Sequence, residues 1–296
     1  MIKSGPAKII IGLPAYNEEK YLGSIILRVK QYADEVIVVD DGSSDRTTAV
    51  AELAGAMVIR HESNRGVGVA IRAILTRARE RDADILVTLD ADYQHNPDEI
   101  PSLIEAVRDG NDVVIGSRYM QRHMIPRYRR IGQKVLGGLT NFVSGESLTD
   151  TESGFRAYSR RAIEKLELKE PGFAVCSEII KEAAAKKLTI KEVPTSVSYT
   201  GDGSTLHPVS HGAGVLRRLL AMISEERPLF FFGLFGSILV IAGVVMGILV
   251  ARAMYVDQVL QTGTALVSVL LITVGVLTLF TGIILSVLIR RFNDRL

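Results

Sequence analysis

Two patterns of hydrophobic and polar positions divide the chain into a front part and a tail. In the first 227 residues, short apolar runs alternate with segments of helical periodicity. From residue 228 to residue 289 the chain is almost continuously apolar, and only Arg252 and Asp257 are charged. The front part therefore predicts a folded domain that buries its own core, and the tail predicts membrane spans.

Strand and helix signals alternate along the front part. Buried strands are predicted at 9–13, 36–39, 85–89 and 113–115, and helices at 22–31, 46–54, 67–79 and 99–107. This alternation is typical of an α/β fold, a mostly parallel sheet with helices on both faces. Polar residues follow each predicted strand, and the carboxyl ends of parallel strands are where such sheets bind ligands.

The tail is long enough for two transmembrane helices. It contains an uncharged run of 23 residues from Pro228 to Val250 and another of 32 residues from Gln258 to Ile289. About 20 apolar residues cross a hydrocarbon core, so we expect a hairpin with spans at about 228–250 and 264–289. The alternative is a helical hairpin buried inside a soluble protein.

Basic residues flank the hairpin on both sides and predict its orientation. Arginines occur at 217, 218 and 227 before the first span and at 290, 291 and 295 after the second, whereas the connecting segment contains one Arg and one Asp. By the positive-inside rule, both termini and the front domain face the cytoplasm.

Residues 212–227 alternate apolar and charged positions as an amphipathic helix on the membrane surface does. The predicted organisation is a cytoplasmic domain at 1–211, a surface helix at 212–227, a hairpin at 228–289 and a cytoplasmic tail at 290–296. Gly243 and Gly247 have the GxxxG spacing that permits close helix approach, which leaves a homo-oligomer as one interpretation.

Composition excludes some classes of protein. The chain has 35 Lys+Arg and 33 Asp+Glu, a net charge of +2, so there is no basic excess of the kind that indicates a nucleic-acid partner. A single cysteine excludes an internal disulfide and a thiolate metal cluster.

Asp90-Ala-Asp92 is the most informative polar cluster. Two carboxylates spaced i and i+2 just past a strand can face one divalent cation, and Gln94 offers a further oxygen ligand. Oxygen ligands suit Mg²⁺ or Mn²⁺ and leave room for phosphate oxygens. One aspartate could instead cap a turn, but the neighbouring acidic strand ends favour a site for a metal and a diphosphate.

A family resemblance rests on six segments in order. They are Pro14-Ala-Tyr-Asn-Glu-Glu19, Val38-Val-Asp-Asp-Gly-Ser-Ser-Asp45, Asn64-Arg-Gly-Val-Gly-Val-Ala70, Asp90-Ala-Asp-Tyr-Gln94, Gly116-Ser-Arg118 and Ser153-Gly-Phe-Arg156. Through them, residues 9 to about 205 resemble a family 2 glycosyltransferase of the GT-A fold, a Rossmann-like, mostly parallel sheet. The resemblance extends to the polyprenyl-phosphate glycosyltransferases, such as dolichol-phosphate mannose or glucose synthases. It implies metal-dependent sugar transfer from a nucleotide donor to a polyprenyl phosphate, with inversion.

The resemblance also implies which residues bind the nucleotide sugar. Pro14, Tyr16 and Glu18 match the family's base and ribose contacts, and Asp90 is expected at the donor. The acidic residue that binds uracil or ribose corresponds to Asp40 or Asp41. UDP-sugars are preferred as donors because a two-span tail resembles the glucosyl branch, and GDP-mannose also fits.

A basic stretch from residue 118 to residue 134 contains no acid. Joining a nucleoside diphosphate to a lipid phosphate gathers negative charge that cations must offset. Arg118, Arg129 and Arg130 match family positions near the acceptor phosphate, and Gln133 is assigned to the same group. Arg118 and Arg130 are also candidate catalytic residues, together with Asp92 and Asp150.

Asp150 has the spacing of the family's D-x-x-S-G-F motif. A carboxylate there would be a general base for a hydroxyl acceptor, but a phosphate acceptor needs none, so we expect Asp150 to orient the site by holding an arginine or a donor hydroxyl. The later loop, Tyr199 to His207, lacks the Arg and Lys that the family usually has there.

Three alternatives differ from this interpretation. A processive polysaccharide synthase would need a Q/R-x-x-R-W motif, which a chain without Trp does not contain. A transferase that acts on a hydroxyl of a membrane glycan or glycoprotein stays open. A non-catalytic membrane adaptor would leave the acidic strand ends and the basic stretch without a role.

Overall fold

A seven-stranded sheet organises the first of two compact units, Met1–Leu219 and Leu220–Leu296, in a computed structural model. The structure describes residues 7–120, 137–142, 144–197, 228–258 and 261–293. The predicted surface helix at 212–227 lies outside these residues. The strands are β1 Ile9–Ala15, β2 Glu35–Asp40, β3 Met57–Arg60, β4 Ile85–Thr88, β5 Val113–Ser117, β6 Arg156–Ser159 and β7 Ile190–Pro194.

The sheet is mostly parallel, as the sequence predicts, and its order is β3-β2-β1-β4-β6-β5-β7. Strand β1 is parallel to both β2 and β4, and Ile11 is in register with Val36 on one side and Val87 on the other. Only β6 runs against its neighbours. The carboxyl ends of β1, β2 and β4 therefore lie side by side.

Helices connect these strands in the part of the first unit that the structure describes. They are α1 Leu22–Val29, α2 Thr47–Leu53, α3 Val67–Glu80, α4 Ile100–Arg108, α5 Arg160–Lys165 and α6 Val175–Ala185. Short 3-10 turns occupy Lys30–Tyr32 and Pro97–Glu99, and residues 137–142 are also helical. The four predicted helices are confirmed to within about two residues at each end.

Alternate strand residues point to opposite faces of the sheet and build two cores. Ile10 and Ile37 belong to the core covered by α3, α5 and α6, whereas Ile11 and Val38 belong to the core covered by α1, α2 and α4. Because both faces are buried, the central strands are continuously apolar rather than alternating.

The second unit contains two long helices, α7 Pro228–Asp257 and α8 Thr262–Asn293. Each contains a segment long and apolar enough to cross a membrane, Pro228–Val256 and Thr262–Leu288, and only 17% of each apolar window is buried. The core helix of a soluble protein would be mostly covered, so this low burial favours membrane spans over a buried hairpin.

Small residues bring α7 and α8 together. A Cβ on Gly243 would meet the Ile272 side chain at 2.7 Å, and a Cβ on Gly236 would meet the carbonyl oxygen of Gly275 at 2.8 Å. The Ser268 hydroxyl donates to the carbonyl oxygen of Gly243 at 2.7 Å. The GxxxG segment thus packs against the second helix of the same chain, and a homo-oligomer stays a prediction without support from this segment.

Candidate active site

A cleft of about 370 Å³ opens at the carboxyl ends of β1, β2 and β4. Its walls come from the segments that follow these strands, from the start of α3 and from Phe173. The residues that line it are Pro14, Ala15, Tyr16, Glu18, Asp41, Asn64, Gly66, Val67, Ala70, Asp90, Ala91, Asp92 and Phe173. Five of the six residues predicted to bind the nucleotide sugar are therefore together here, with Asp92 beside them.

The structure separates the two adjacent aspartates that the sequence left as alternatives. Asp41 lines the cleft, and its carboxylate accepts hydrogen bonds from the backbone N–H groups of Arg65 and Gly66, the latter at 2.7 Å, and contacts Nδ1 of His61 at 2.6 Å. Asp40 is fully buried and is not among the lining residues. It accepts from the N–H of Ser43 and from a threonine hydroxyl, so it stabilises the turn after β2.

Asp90 and Asp92 follow β4 on one short loop that lines the cleft. The Asp90 side chain retains 41% of its accessible surface, and its Oδ2 lies 3.7 Å from Nε2 of buried His95. The Oδ1 atom of Asp92 accepts from the N–H of Gln94 at 3.0 Å. His95 has no feature in the sequence that marks it as a neighbour of Asp90, and sequence reasoning missed it.

Burial and mutual repulsion shift the pKa values of these carboxyls. Burial, followed by repulsion from Asp90, raises the pKa of Asp92 to about 6. Burial, followed by repulsion from Asp92 and Asp90, raises the pKa of Glu18 to about 7. Asp90 is only partly buried, and although burial acts to raise its pKa, the adjacent His95 outweighs this effect and holds the pKa below its usual value. A cation in the cleft would relieve this repulsion.

The predicted metal ligands fit a cation that is held jointly by the protein and a bound phosphate better than a cation held by protein groups alone. Within the described residues, no group of three or more His, Cys, Asp or Glu side chains could hold a metal alone. Gln94 is not among the described residues that line the cleft, although its backbone orients Asp92. Carboxylate oxygens suit Mg²⁺ or Mn²⁺. Because the protein supplies few of them here, phosphate oxygens of a bound ligand would complete the coordination.

Gly154 lies directly behind the carboxylate of Asp90. A Cβ at this position would lie 2.6 Å from Oδ2 and 2.7 Å from Oδ1 of Asp90. Thr88 donates its hydroxyl to the carbonyl oxygen of Gly154 at 3.1 Å, and buried Arg156 donates to three further backbone carbonyls of the surrounding chain. The Ser-Gly-Phe motif therefore forms the rear wall of the proposed metal site, a role that sequence reasoning missed.

Asp150 and Arg118 form a two-point ion pair. Oδ2 of Asp150 accepts from Nε of Arg118 at 2.7 Å, and Oδ1 accepts from Nη2 at 2.7 Å. The two side chains are only 1% and 12% exposed. Burial acts to raise the pKa of Asp150, but Arg118 outweighs it and holds the pKa below its usual value. Asp150 thus holds an arginine, which is the geometry expected of an orienting residue.

Glu192 supports this pair from β7. Its carboxylate accepts from the backbone N–H groups of Thr149 and Asp150, each at 2.8 Å, and from the Thr149 hydroxyl at 2.9 Å. Sequence reasoning missed Glu192 because the strand that carries it pairs with β5, far away in the chain. The ion pair is therefore positioned by the segment after β5, by residues 149 and 150, and by β7.

The glycines at the start of α3 serve a packing role. Gly68 donates its N–H to the carbonyl oxygen of Pro171 at 2.8 Å, and a Cβ there would meet the carbonyl oxygen of Glu170 at 2.0 Å. Only glycine allows this close approach of two backbones. Gly68 therefore allows the start of α3 to pack directly on the backbone at residues 170 and 171.

Three residues assigned to the acceptor phosphate, Arg129, Arg130 and Gln133, lie outside the described residues, as does the loop from Tyr199 to His207. Their roles stay predictions.

The family model described as Glycosyl transferase family 2 matches residues 10–167. The chain belongs to this family and is a glycosyltransferase.

Two relatives are informative. The UDP-N-acetylglucosamine--dolichyl-phosphate N-acetylglucosaminyltransferase of Methanococcus voltae is 35% identical over 216 residues, which cover 65% of this chain and 86% of that protein. The dolichyl-phosphate hexose transferase of Haloferax volcanii is 31% identical over 223 residues, which cover 74% of this chain and 95% of that protein.

Solved structures show the same GT-A fold. Glucosyl-3-phosphoglycerate synthase from Mycobacterium tuberculosis in complex with Mg²⁺ and UDP has a TM-score of 0.59 at 23% identity, over 74% of this chain and 79% of that one. The same enzyme with Mn²⁺ and UDP-glucose has a TM-score of 0.58 at 22% identity, over 74% and 78%.

Proposed function

We propose that this glycosyltransferase moves a sugar from a nucleoside-diphosphate donor to the phosphate of a polyprenyl lipid such as dolichyl phosphate. The observation that carries the proposal is the ion pair of Asp150 and Arg118. A hydroxyl acceptor needs a carboxylate that takes up its proton, but Arg118 engages both oxygens of the Asp150 carboxylate and lowers its basicity. A lipid phosphate is already an oxyanion near neutral pH. The names of the two dolichyl-phosphate relatives support the same acceptor.

In the proposed reaction, an oxygen of the lipid phosphate attacks the anomeric carbon from the face opposite the nucleotide. The new bond from carbon to oxygen forms as the bond to the diphosphate breaks, and its electron pair leaves with the nucleoside diphosphate. The configuration at that carbon therefore inverts. Arg118, held by Asp150, offsets negative charge from the two phosphate groups, and Tyr16, Glu18 and Asp41 line the proposed donor site.

We propose Asp90 and Asp92, with Gln94 as a further candidate, as ligands of Mg²⁺ or Mn²⁺ shared with the donor phosphates. The bound cation would offset the negative charge of the departing diphosphate. The mutual repulsion of the cleft carboxyls supports this assignment, because a cation relieves it. The Mycobacterium tuberculosis enzyme, which has the same fold, binds Mg²⁺ with UDP and Mn²⁺ with UDP-glucose, and this supports the assignment.

For the donor, UDP-sugars are proposed ahead of GDP-mannose. The name of the Methanococcus voltae relative includes UDP-N-acetylglucosamine, and UDP binds to the structural neighbour. Arg129, Arg130 and Gln133 are proposed to contact the acceptor phosphate with Arg118.

The proposed organisation places residues 1–211 and both termini in the cytoplasm. The hairpin at 228–289 anchors the protein, and the helix at 212–227 lies on the membrane surface. Arginines on both flanks of the hairpin support this orientation.

Labelled donor incubated with membranes that contain the full chain tests the proposal. UDP-glucose, UDP-N-acetylglucosamine and GDP-mannose are each supplied with dolichyl or undecaprenyl phosphate. We expect one donor to label a lipid-linked sugar phosphate, dependent on added lipid phosphate and abolished by EDTA, with Asp92→Asn membranes as control. Label in glycan or protein without lipid phosphate would instead support a hydroxyl acceptor, and no transfer from any donor would contradict the proposal.

A further inference from the structure

Tyr93, between Asp92 and Gln94, has a backbone conformation that is unfavourable for its residue type. Its φ is +63°, in the left-handed region that bulky L-residues rarely adopt. The hydrogen bond from the N–H of Gln94 to Oδ1 of Asp92 closes across this residue. The direction of the Asp92 carboxylate therefore depends on the left-handed conformation of Tyr93.

Helix α1 and the residue before it hold the Tyr93 side chain. The ring of Tyr21 stacks on the ring of Tyr93 with centroids 5.9 Å apart and an angle of 27° between the planes. Arg28 donates from Nη1 to the Tyr93 hydroxyl at 3.1 Å, and its guanidinium carbon lies 5.8 Å from the ring centroid. Tyr93 is thus contacted by an aromatic ring and by a cation.

Arg28 also reaches the far end of the same loop. Its Nη2 donates to Oδ1 of Asn96 at 2.8 Å and to Oδ2 of Asp98 at 2.7 Å. One guanidinium therefore connects the residue just after Asp92 with the residues that begin the next 3-10 turn. An isolated surface ion pair to Asp98 would contribute little, but contacts on both ends of a loop restrict its conformation.

We infer that Tyr21 and Arg28 are positioning residues for the proposed metal site. They hold Tyr93 in the left-handed conformation and thereby orient the Asp92 carboxylate toward the cation. Neither is among the described residues that line the cleft, so both act through Tyr93. The inference rests on the proposed metal role of Asp92 and adds the device that keeps this carboxylate in place.

Strain of this kind persists where the surroundings overdetermine the backbone, and it is concentrated at functional sites. If the contacts with Arg28 are lost, the loop can relax to a right-handed or extended conformation at Tyr93. The hydrogen bond between Gln94 and Asp92 is then lost, and Asp92 leaves its position beside Asp90. The bias against the left-handed conformation corresponds to about 5- to 30-fold in an equilibrium constant.

The test is Mn²⁺ binding by the purified full chain in detergent at a fixed UDP concentration, with free Mn²⁺ measured by electron paramagnetic resonance. Arg28→Met removes the guanidinium and keeps the apolar stem. We expect it to weaken Mn²⁺ binding by about 5- to 30-fold. Arg77→Met is the matched control, because it removes an arginine that pairs with Glu80 on α3, and it should leave binding unchanged.

A second variant separates positioning from a general structural effect. Asparagine adopts left-handed φ more readily than tyrosine, so Tyr93→Asn should make the loop independent of Arg28. We expect the double variant of Arg28→Met and Tyr93→Asn to bind Mn²⁺ within about threefold of the wild type. If Arg28 merely stabilised the fold, removing the Tyr93 side chain as well would not restore Mn²⁺ binding.

If the wild type binds Mn²⁺, two results would overturn the positioning inference and leave the proposed metal role standing. One is unchanged Mn²⁺ binding in Arg28→Met, and the other is a double variant that binds Mn²⁺ no better than Arg28→Met. Failure of the wild type itself to bind Mn²⁺ in the presence of UDP would contradict the proposed metal role, and the positioning inference with it.

Discussion

Replacing Gly154 with alanine should displace the carboxylate of Asp90 while the fold stays intact. The new Cβ would lie 2.6 Å and 2.7 Å from the two carboxylate oxygens. Ordinary contact begins near 3.4 Å, so the oxygens must retreat by about 0.8 Å. An aspartate has only two side-chain torsions, and this retreat turns the carboxylate away from the direction it shares with Asp92.

The size of the effect follows from this displacement. A misplacement of about 1 Å in a site of this kind can lower the rate by about 100-fold. We therefore expect Gly154→Ala to lower kcat/KM by roughly 30- to 100-fold. Gly154 does not have a positive φ, so alanine introduces no backbone strain, and the unfolding midpoint should change by less than about 4 °C.

Transfer of labelled sugar to lipid phosphate measures the rate, and circular dichroism measures the unfolding midpoint. Gly138→Ala is the matched control, because a Cβ at Gly138 meets no atom of the described residues within 4 Å. A Gly154→Ala enzyme with kcat/KM within threefold of the wild type would refute the argument, since the oxygens of Asp90 could then move without consequence. A collapse of the unfolding midpoint would show that Gly154 serves the fold and not the site.

Mn²⁺ affinity at fixed UDP should weaken as the pH falls from about 7 to about 5, approaching tenfold per unit below about pH 6, because Asp92, a proposed ligand with a pKa of about 6, must lose its proton to accept the cation; affinity independent of pH would count against a shared site. Asp150→Asn should lower kcat at every pH and leave the shape of the profile unchanged, because the carboxylate holds Arg118, whereas an inflection lost only in the variant would favour a hydroxyl acceptor. Truncation after Arg227 should retain UDP and Mn²⁺ binding but lower transfer to long-chain lipid phosphate more than to a short, water-soluble prenyl phosphate; equal loss with both acceptors would contradict a surface-positioning role.

Much of the fold could be predicted because its signals are local. The apolar runs of β1, β2, β4 and β5 and the helical periodicity of α1 to α4 lie in continuous segments. Strand β6 could not be predicted in the same way, since it begins with Arg156, whose buried guanidinium is satisfied by backbone carbonyls. Its antiparallel position between β4 and β5 depends on distant pairing.

The candidate site shows the same division. The topology rule for parallel sheets was sufficient to group Glu18, Asp41, Asp90 and Asp92, because each follows a strand end. The contacts of His95, Gly154 and Glu192 join segments far apart in the chain, and no spacing within the sequence encodes them. The role of an uncharged residue such as Gly154 is therefore visible only in the structure.

The insertion of β6 between β4 and β5 has a consequence for biosynthesis. During translation, β4 and β5 leave the ribosome before the strand that separates them, so a nascent chain that ends near residue 120 contains the proposed metal ligands Asp90 and Asp92 without Gly154 behind Asp90. The completed arrangement requires about 40 further residues, including the segment that supplies Asp150. We therefore expect nucleotide-sugar binding to arise late in synthesis, after β6 has joined the sheet and before the membrane hairpin has been translated.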